Sequence, residues 1–299
     1  NYKYAKGYKE NQLAPDEKLI KEAVALASGY EKILVFAGLT DYVESEGADR
    51  ENMRLPENQL ALIDALTKTD KKIIVILYGG SPVELPFADN VSAILNMYLP
   101  GQNGGTAMAQ LVFGDKTPCG KLAETWAISY DDVPFGKDFG KTRNEIYKES
   151  IFVGYRYYLT ADKKVRYPFG YGLSYTSFDY RAIETSETET EINVSCEVVN
   201  KGKYDGAEIV QLYVKAPRDG VFKPLKELKG FTKVYLKAGE SKKVTITVEK
   251  DDLRYWNVKG NRFILQGGEY DFELCSDCQT LKLNKAITLK GEEGVNPYT

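Results

Sequence analysis

The residues with the clearest capacity for chemistry lie between Gly38 and Gln59, in the stretch GLTDYVESEGADRENMRLPENQ. Glu44, Glu46 and Asp49, with Arg50 beside them, stand among residues that give no hydrophobic reason for their presence. Two carboxylates can run the hydrolysis of a glycosidic bond, one as nucleophile or base and one as proton donor to the leaving oxygen. A donor working at neutral pH needs its pKa raised by burial or by a neighbouring negative charge, and Glu44 and Glu46 are near enough in sequence to influence each other. They are not expected to act as a pair within this one loop; a partner carboxylate is expected from elsewhere. The bland reading is a solvated acidic surface loop.

Other chemistries are narrowed by what the chain lacks. There is no histidine, which excludes Ser-His-Asp and Cys-His catalysis and any His-ligated metal within these 299 residues. Of the four cysteines, Cys275 and Cys278 have CxxC spacing, but one such pair is half a zinc site and it follows an alternating strand, so structural thiols are expected. Gly101, Gly104 and Gly105 fit neither GxxxxGK[ST] nor GxGxxG and read as a strand-to-helix turn. The acidic loop lacks the DxDxDG arrangement of a calcium site. No cofactor and no metal are called for.

With 40 basic and 43 acidic residues the formal charge is −3, and no basic cluster suggests a nucleic-acid partner. No apolar run approaches the roughly 18 to 20 residues that cross a bilayer, so no membrane partner is expected. The N-terminal NYKYAKGYKENQ lacks the shape of a signal peptide and nothing demands an oxidising compartment. A soluble chain is expected, in a cytoplasmic rather than a secreted setting, although the absence of an initial Met leaves a processed or partial chain open.

The elements that must position the loop follow from periodicity. Leu19, Ile20, Ala23, Val24 and Ala27 recur at helical spacing after Pro15 and Asp16. Continuous apolar runs at 32–37, 72–78 and 92–98 read as strands buried between helix layers, with helices expected over 60–66 and 106–113. This is β-α-β order with a parallel sheet, and ligands bind such sheets beyond the carboxyl ends of the strands. The loops 38–55, 79–86 and 100–105 are all expected on that rim. From Lys121 to about Phe178 the period fails and aromatics crowd in, which predicts a segment packed across a domain surface, where one or two rings could stack on sugar. Beyond Ser177 the period becomes two, around Ile192–Val198, Val210–Val214, Val244–Val248 and Tyr270–Leu274, as in an antiparallel β-sandwich. The expected domains are 1–125, an aromatic connection over 126–176, and 177–299.

Several stretches, taken together, resemble glycoside hydrolase family 3, the β-glucosidase group. Glu44-Ser45-Glu46-Gly47-Ala48-Asp49-Arg50 with Leu55-Pro56-Glu57-Asn58-Gln59 is similar to its ExEGxDR…LPxxQ signature, and so are the segments LPGQNGG at 99–105, GKLAET at 120–125, VGYRYY at 153–158 and YPFGYGLSYT at 167–176. NKGKYDGAE at 200–208 and LKELKGF at 225–231 are similar to that family's fibronectin type III-like domain.

The resemblance implies a three-layer α/β sandwich with a mostly parallel sheet, followed by a fibronectin type III-like antiparallel β-sandwich. It implies a retaining exo-acting enzyme on a β-glucoside or oligosaccharide, with its nucleophilic aspartate on a separate (β/α)8 barrel. The acid/base glutamate would fall on Glu46. Glu44 is the alternative acid/base, because loop alignments within the family slip by about that much. Asp49 and Arg50 would support the loop, as an ion pair with each other or with neighbours. The barrel that would act as partner is absent from this sequence, so the chain alone is expected to be inactive. The alternative is a non-catalytic carbohydrate-binding or scaffolding module derived from such an enzyme. A homo-oligomer is compatible with either.

Overall fold

The computed structural model describes residues 2–293. Contacts divide these into two compact units. The first holds residues up to Val112 together with Trp126–Val133, the second Phe113–Thr125 and the residues from Pro134 onward.

In the first unit the helix expected after Pro15 is α1, Glu17–Ala27, and its start is fixed by Asp16, whose side chain accepts from the backbone N–H of Lys18 and Leu19 at 3.1 and 3.3 Å. A cap of this kind contributes about 1 kcal/mol. The three apolar runs are strands: β1 (Lys32–Gly38), β2 (Lys72–Tyr78) and β3 (Ala93–Tyr98). They pair in the order β1-β2-β3, both pairs parallel, with Lys32 opposite Lys72 and Ile74 opposite Ala93. Central β2 is the most buried, its Ile73, Val75, Ile76 and Leu77 all closed off from solvent, as a two-sided apolar run requires.

Helix α2 spans Glu57–Thr67 and α3 Gly104–Phe113, each starting before the residue that apolar periodicity marks. The first turn of α2 is Glu57-Asn58-Gln59, which is polar, so it carries no apolar signal although Pro56 stands at its cap. Since the three strands are parallel, the segments following Gly38, Tyr78 and Tyr98 leave from one edge of the sheet. Bonds from Leu39 N to Tyr78 O (2.9 Å) and from Gly79 N to Tyr98 O (3.2 Å) hold the roots of these loops together.

The second unit is antiparallel. Strands β4 (Phe178–Glu187), β5 (Glu191–Asn200) and β8 (Ser241–Glu249) form one sheet in the order β4-β5-β8. Strands β6 (Gly206–Lys215), β7 (Glu227–Leu236), β11 (Gly268–Cys275) and β12 (Leu281–Leu289) form another, ordered β12-β11-β6-β7, and β9 (Tyr255–Asn257) pairs with β10 (Arg262–Ile264). The alternating residues of β5, β6, β8 and β11 build one core, including Ile192, Val194, Val210, Leu212, Ile246 and Phe272.

Three long strands carried no clear period in the sequence, for identifiable reasons. β4 is interrupted by a register shift between Arg181 and Glu184, where Ala182 has φ +54°, and β7 by a shift opposite Leu212/Tyr213. Such bulges break a period of two. β12 lies at a sheet edge and buries only Leu289, so it has little apolar pattern to show.

The aromatic segment contains a short helix, α4 (Tyr155–Thr160), and its rings pack within this unit. Tyr155 stacks on Phe169 at 4.9 Å, meets Tyr213 edge-on at 5.8 Å and takes a hydrogen bond from Leu228 N at 2.8 Å. At Gly170, which has φ +81°, a Cβ would lie 2.1 Å from Gln211 Oε1, while Gln211 Nε2 donates to Gly170 O at 3.0 Å. Only glycine allows that approach. No helix among the described residues is long and apolar enough to cross a membrane.

Candidate active site

The acidic loop is bolted down at both ends. At its start the side chain of Gln59 accepts from Gly38 N at 2.8 Å and donates to Gly38 O at 2.9 Å, completing the end of β1 as a neighbouring strand would. Gln59 is 2% exposed, so this amide is a buried, fully used connector. Asn58 beside it donates to Lys9 O at 2.9 Å, and its own N–H bonds to Leu13 O at 2.9 Å. Near the loop's end, Glu84 N donates to Met53 O at 2.7 Å, and Leu55 is buried. The sequence singled out Asn58 and Gln59 only as parts of a resemblance; their work is to anchor the loop. A polar pair at the head of a helix, just after a loop of charged residues, is the signal that could have suggested it.

Between these anchors the backbone is not extended. Val43 N and Glu44 N both bond to Thr40 O, at 2.8 and 2.9 Å, which folds 40–44 into a turn. A second turn follows: Ala48 N reaches Ser45 O at 3.4 Å, the two residues form an isolated bridge, and Gly47 has φ +82°. A positive φ at the third position of a four-residue turn is a demand that glycine meets without strain. Residues two apart on an extended strand would share a face. It is this folding, and not strand alternation, that gives Glu44 and Glu46 different surroundings.

Glu44 is half-buried and engaged. Its Oε2 accepts from Gly80 N at 2.7 Å and its Oε1 from the Ser81 hydroxyl. Glu46 stands at the tip of the second turn, exposed, and makes no hydrogen bond or ion pair with any described residue. Arg50 donates through Nη2 to Ser81 Oγ at 3.0 Å and to Pro82 O at 3.1 Å. Asp49 is exposed, and among the described residues it pairs neither with Arg50 nor with another group. Loop support in the structure therefore runs through Arg50, Glu44 and Ser81. Ser81 was not singled out in the sequence, where it is one residue of a Gly-Gly-Ser-Pro turn with no local mark. Thr40 Oγ1 and Arg50 Nη1 are buried without a partner among the described residues.

No group of three or more His, Cys, Asp or Glu among the described residues could hold a metal ion. Cys275 and Cys278 are buried, and burial pushes both thiols up to about 12, so neither offers a thiolate near neutrality. Beside them lies the second unit's own charged cluster. Glu273, 2% exposed, receives Lys226 Nζ at 2.7 Å and a bond from Lys215, while the Lys226 ammonium stands 5.0 Å from the Tyr213 ring centre. Burial alone would raise the Glu273 pKa; the hydrogen bonds and charges of the two lysines outweigh it and hold the group below the usual carboxylate value. A polar cavity of about 600 Å³ in this unit is lined by Glu187, Glu249, Lys250, Asp251, Arg254 and Glu292 among others, and includes no residue of the acidic loop.

Comparison with known proteins supplies the family. Residues 5–175 match the glycosyl hydrolase family 3 C-terminal domain and residues 208–278 the fibronectin type III-like domain. The chain is 45% identical over 275 residues to thermostable beta-glucosidase B of Acetivibrio thermocellus, a match covering 90% of this chain and 36% of that protein. It is 38% identical over 299 residues to the exo-alpha-(1->6)-L-arabinopyranosidase of Bifidobacterium longum, covering 99% of this chain and 40% of the other. The crystal structure of a family 3 beta-glucosidase from Bifidobacterium adolescentis superposes with a TM-score of 0.92 at 38% identity, over 96% of this chain and 43% of that one. The chain belongs to glycoside hydrolase family 3 and corresponds to its C-terminal part. It spans about two fifths of the length of the curated relatives it matches.

Proposed function

We propose that this chain is the acid/base-bearing portion of a retaining β-glycosidase, a β-glucosidase in the first instance, with Glu46 as the proton donor and later the base. The observation that carries this reading is the setting of Glu46, a carboxylate unengaged among the described residues, on a turn whose two feet are tied to the neighbouring loop. In a retaining mechanism one carboxyl group protonates the leaving oxygen while another attacks the sugar, and the first then activates the water that releases it. The nucleophile would come from the barrel that the resemblance implies, within the three fifths or so of the relatives' length that lies outside the match. That region would also cover Glu46, giving it the burial that a proton donor needs.

By this reading the 299-residue chain alone does not turn over aryl glycosides, and joining it to the barrel portion restores turnover. The test is Glu46→Gln in the joined enzyme. Loss of hydrolysis, with activity recovered by azide as the glycosyl azide, identifies the acid/base; full activity in the variant would remove Glu46 from the role.

A second sugar is favoured by one particular observation. The Bifidobacterium longum relative, matched over 99% of this chain, is an arabinopyranosidase. An α-L-arabinopyranoside therefore belongs beside the β-D-glucoside in the first assay, and the ratio of kcat/KM values assigns the sugar.

A further inference from the structure

The reading of Glu46 leaves unexplained why a second glutamate stands two residues before it and an arginine four residues after it. Both side chains end on the same serine. Ser81 Oγ gives its one proton to Glu44 and accepts from Arg50 Nη2 at 3.0 Å, so a single hydroxyl joins the residue entering the turn to the residue leaving it. The other oxygen of Glu44 is taken by Gly80 N at 2.7 Å, and a Cβ on Gly80 would stand 3.2 Å from that oxygen. A side chain at 80 would therefore crowd the carboxylate by a few tenths of an ångström. Arg50 is fixed again by Pro82 O at 3.1 Å. These contacts join positions 31 to 37 residues apart in sequence, and Ser45–Asp49, with Glu46 and Gly47 at its tip, has no other side-chain tether among the described residues.

We infer that Glu44, Ser81 and Arg50 form a positioning relay that fixes the turn presenting Glu46, and that Glu44 is a clamp and not a second acid/base. This rests on the reading of Glu46 as the proton donor. Both carboxylate oxygens of Glu44 are turned to the neighbouring loop, one on Gly80 N and one on the Ser81 hydroxyl, so its side chain holds one foot of the turn.

The relay is tested first in the chain itself, by amide hydrogen exchange over residues 45–49. Ser81→Ala should speed exchange there, and Ser81→Thr, which keeps the hydroxyl, should restore protection; unchanged exchange in Ser81→Ala overturns the proposal. In the joined enzyme, Ser81→Ala and Glu44→Gln should lower kcat by on the order of 10²-fold, as sub-ångström to 1 Å misplacement does, with KM little changed. Neither variant should be rescued by azide, and both should keep the basic limb of the pH profile, because the carboxyl group at position 46 is intact. Azide rescue of Glu44→Gln, or loss of its basic limb, would make Glu44 the acid/base and overturn the assignment. The underlying reading fails differently, through a Glu46→Gln variant that keeps both turnover and the limb.

Discussion

Two charged clusters in this protein use the same residue types in opposite ways. Around Glu273 every charge is spent: the carboxylate is 2% exposed and both its oxygens are held by lysines. In the acidic loop Glu44 and Arg50 are spent on neighbouring backbone and hydroxyl groups, while Glu46, on an exposed turn, has no partner among the described residues. A buried, fully paired carboxylate contributes to stability by avoiding the cost of an unpaired charge. A free carboxylate held in place by paired neighbours contributes little to stability and is available for chemistry. What distinguishes the two carboxylates is their burial and the partners each has among the described residues.

The sharpest way to break this comparison is to neutralise each carboxylate in turn. Glu46→Gln should reduce kcat/KM of the joined enzyme by about 10³- to 10⁴-fold on substrates with poor leaving groups, at the upper end of what general acid–base catalysis supplies. Its midpoint in urea should move within the error of measurement. A variant that instead unfolds early would place Glu46 with Glu273, among structural charges.

Glu273→Ala should do the reverse. Removing Glu273 leaves the buried Lys226 without its carboxylate, while the more exposed Lys215 keeps Asp271 at 4.0 Å; breaking a buried pair in this way costs about 3–5 kcal/mol, read as a lower urea midpoint for the second unit. The acid limb carries a sign. Because the folded-state pKa of Glu273 lies below the ordinary carboxylate value, its stabilisation is present above the unfolded pKa of about 4.3 and is lost as pH falls toward the folded value. Urea midpoints of the wild-type chain should therefore drop faster below pH 4.5 or so than those of Glu273→Gln. Parallel acid curves would show that Glu273 is not the group responsible.

A third test concerns the anchor. Gln59→Leu keeps shape and apolarity in α2 but leaves both backbone groups of Gly38 without the partner that each now has at 2.8 and 2.9 Å. Two buried orphan groups cost about 2–6 kcal/mol. The loop should loosen as well, so exchange protection should fall over 38–44 before it falls in β2.

The sequence made the sheet legible because β1, β2 and β3 are written in continuous apolar residues and the β-sandwich in alternating ones. Chain order alone then put the loop 38–55 on the carboxyl rim. What it could not carry were features made by partners distant in the chain. Ser81, 37 residues from Glu44, has no local mark, and the use of Gln59 as a substitute strand depends on where α2 starts, which its polar first turn hides. Register shifts in β4 and β7 erased period two for the same kind of reason, since a bulge is defined by the strand across from it.

The smallest expected effect is the most discriminating. Gly47→Ala changes no charge and meets no obstacle, since nothing lies within 4 Å of the added Cβ. Its cost is purely conformational, because φ at this position is +82°, and an alanine forced there loses about 1 kcal/mol. If Glu46 acts merely by being an exposed acid on a mobile loop, the turn is free to relax to negative φ and turnover should survive. If the geometry of the turn is what places the carboxylate, relaxation moves Glu46 away from the glycosidic oxygen. Turnover in the joined enzyme should then fall by more than the tenfold that about 1.4 kcal/mol of lost transition-state binding would account for. Comparing kcat with the urea midpoint in this one variant separates the presence of the carboxylate from its position, which Glu46→Gln cannot do.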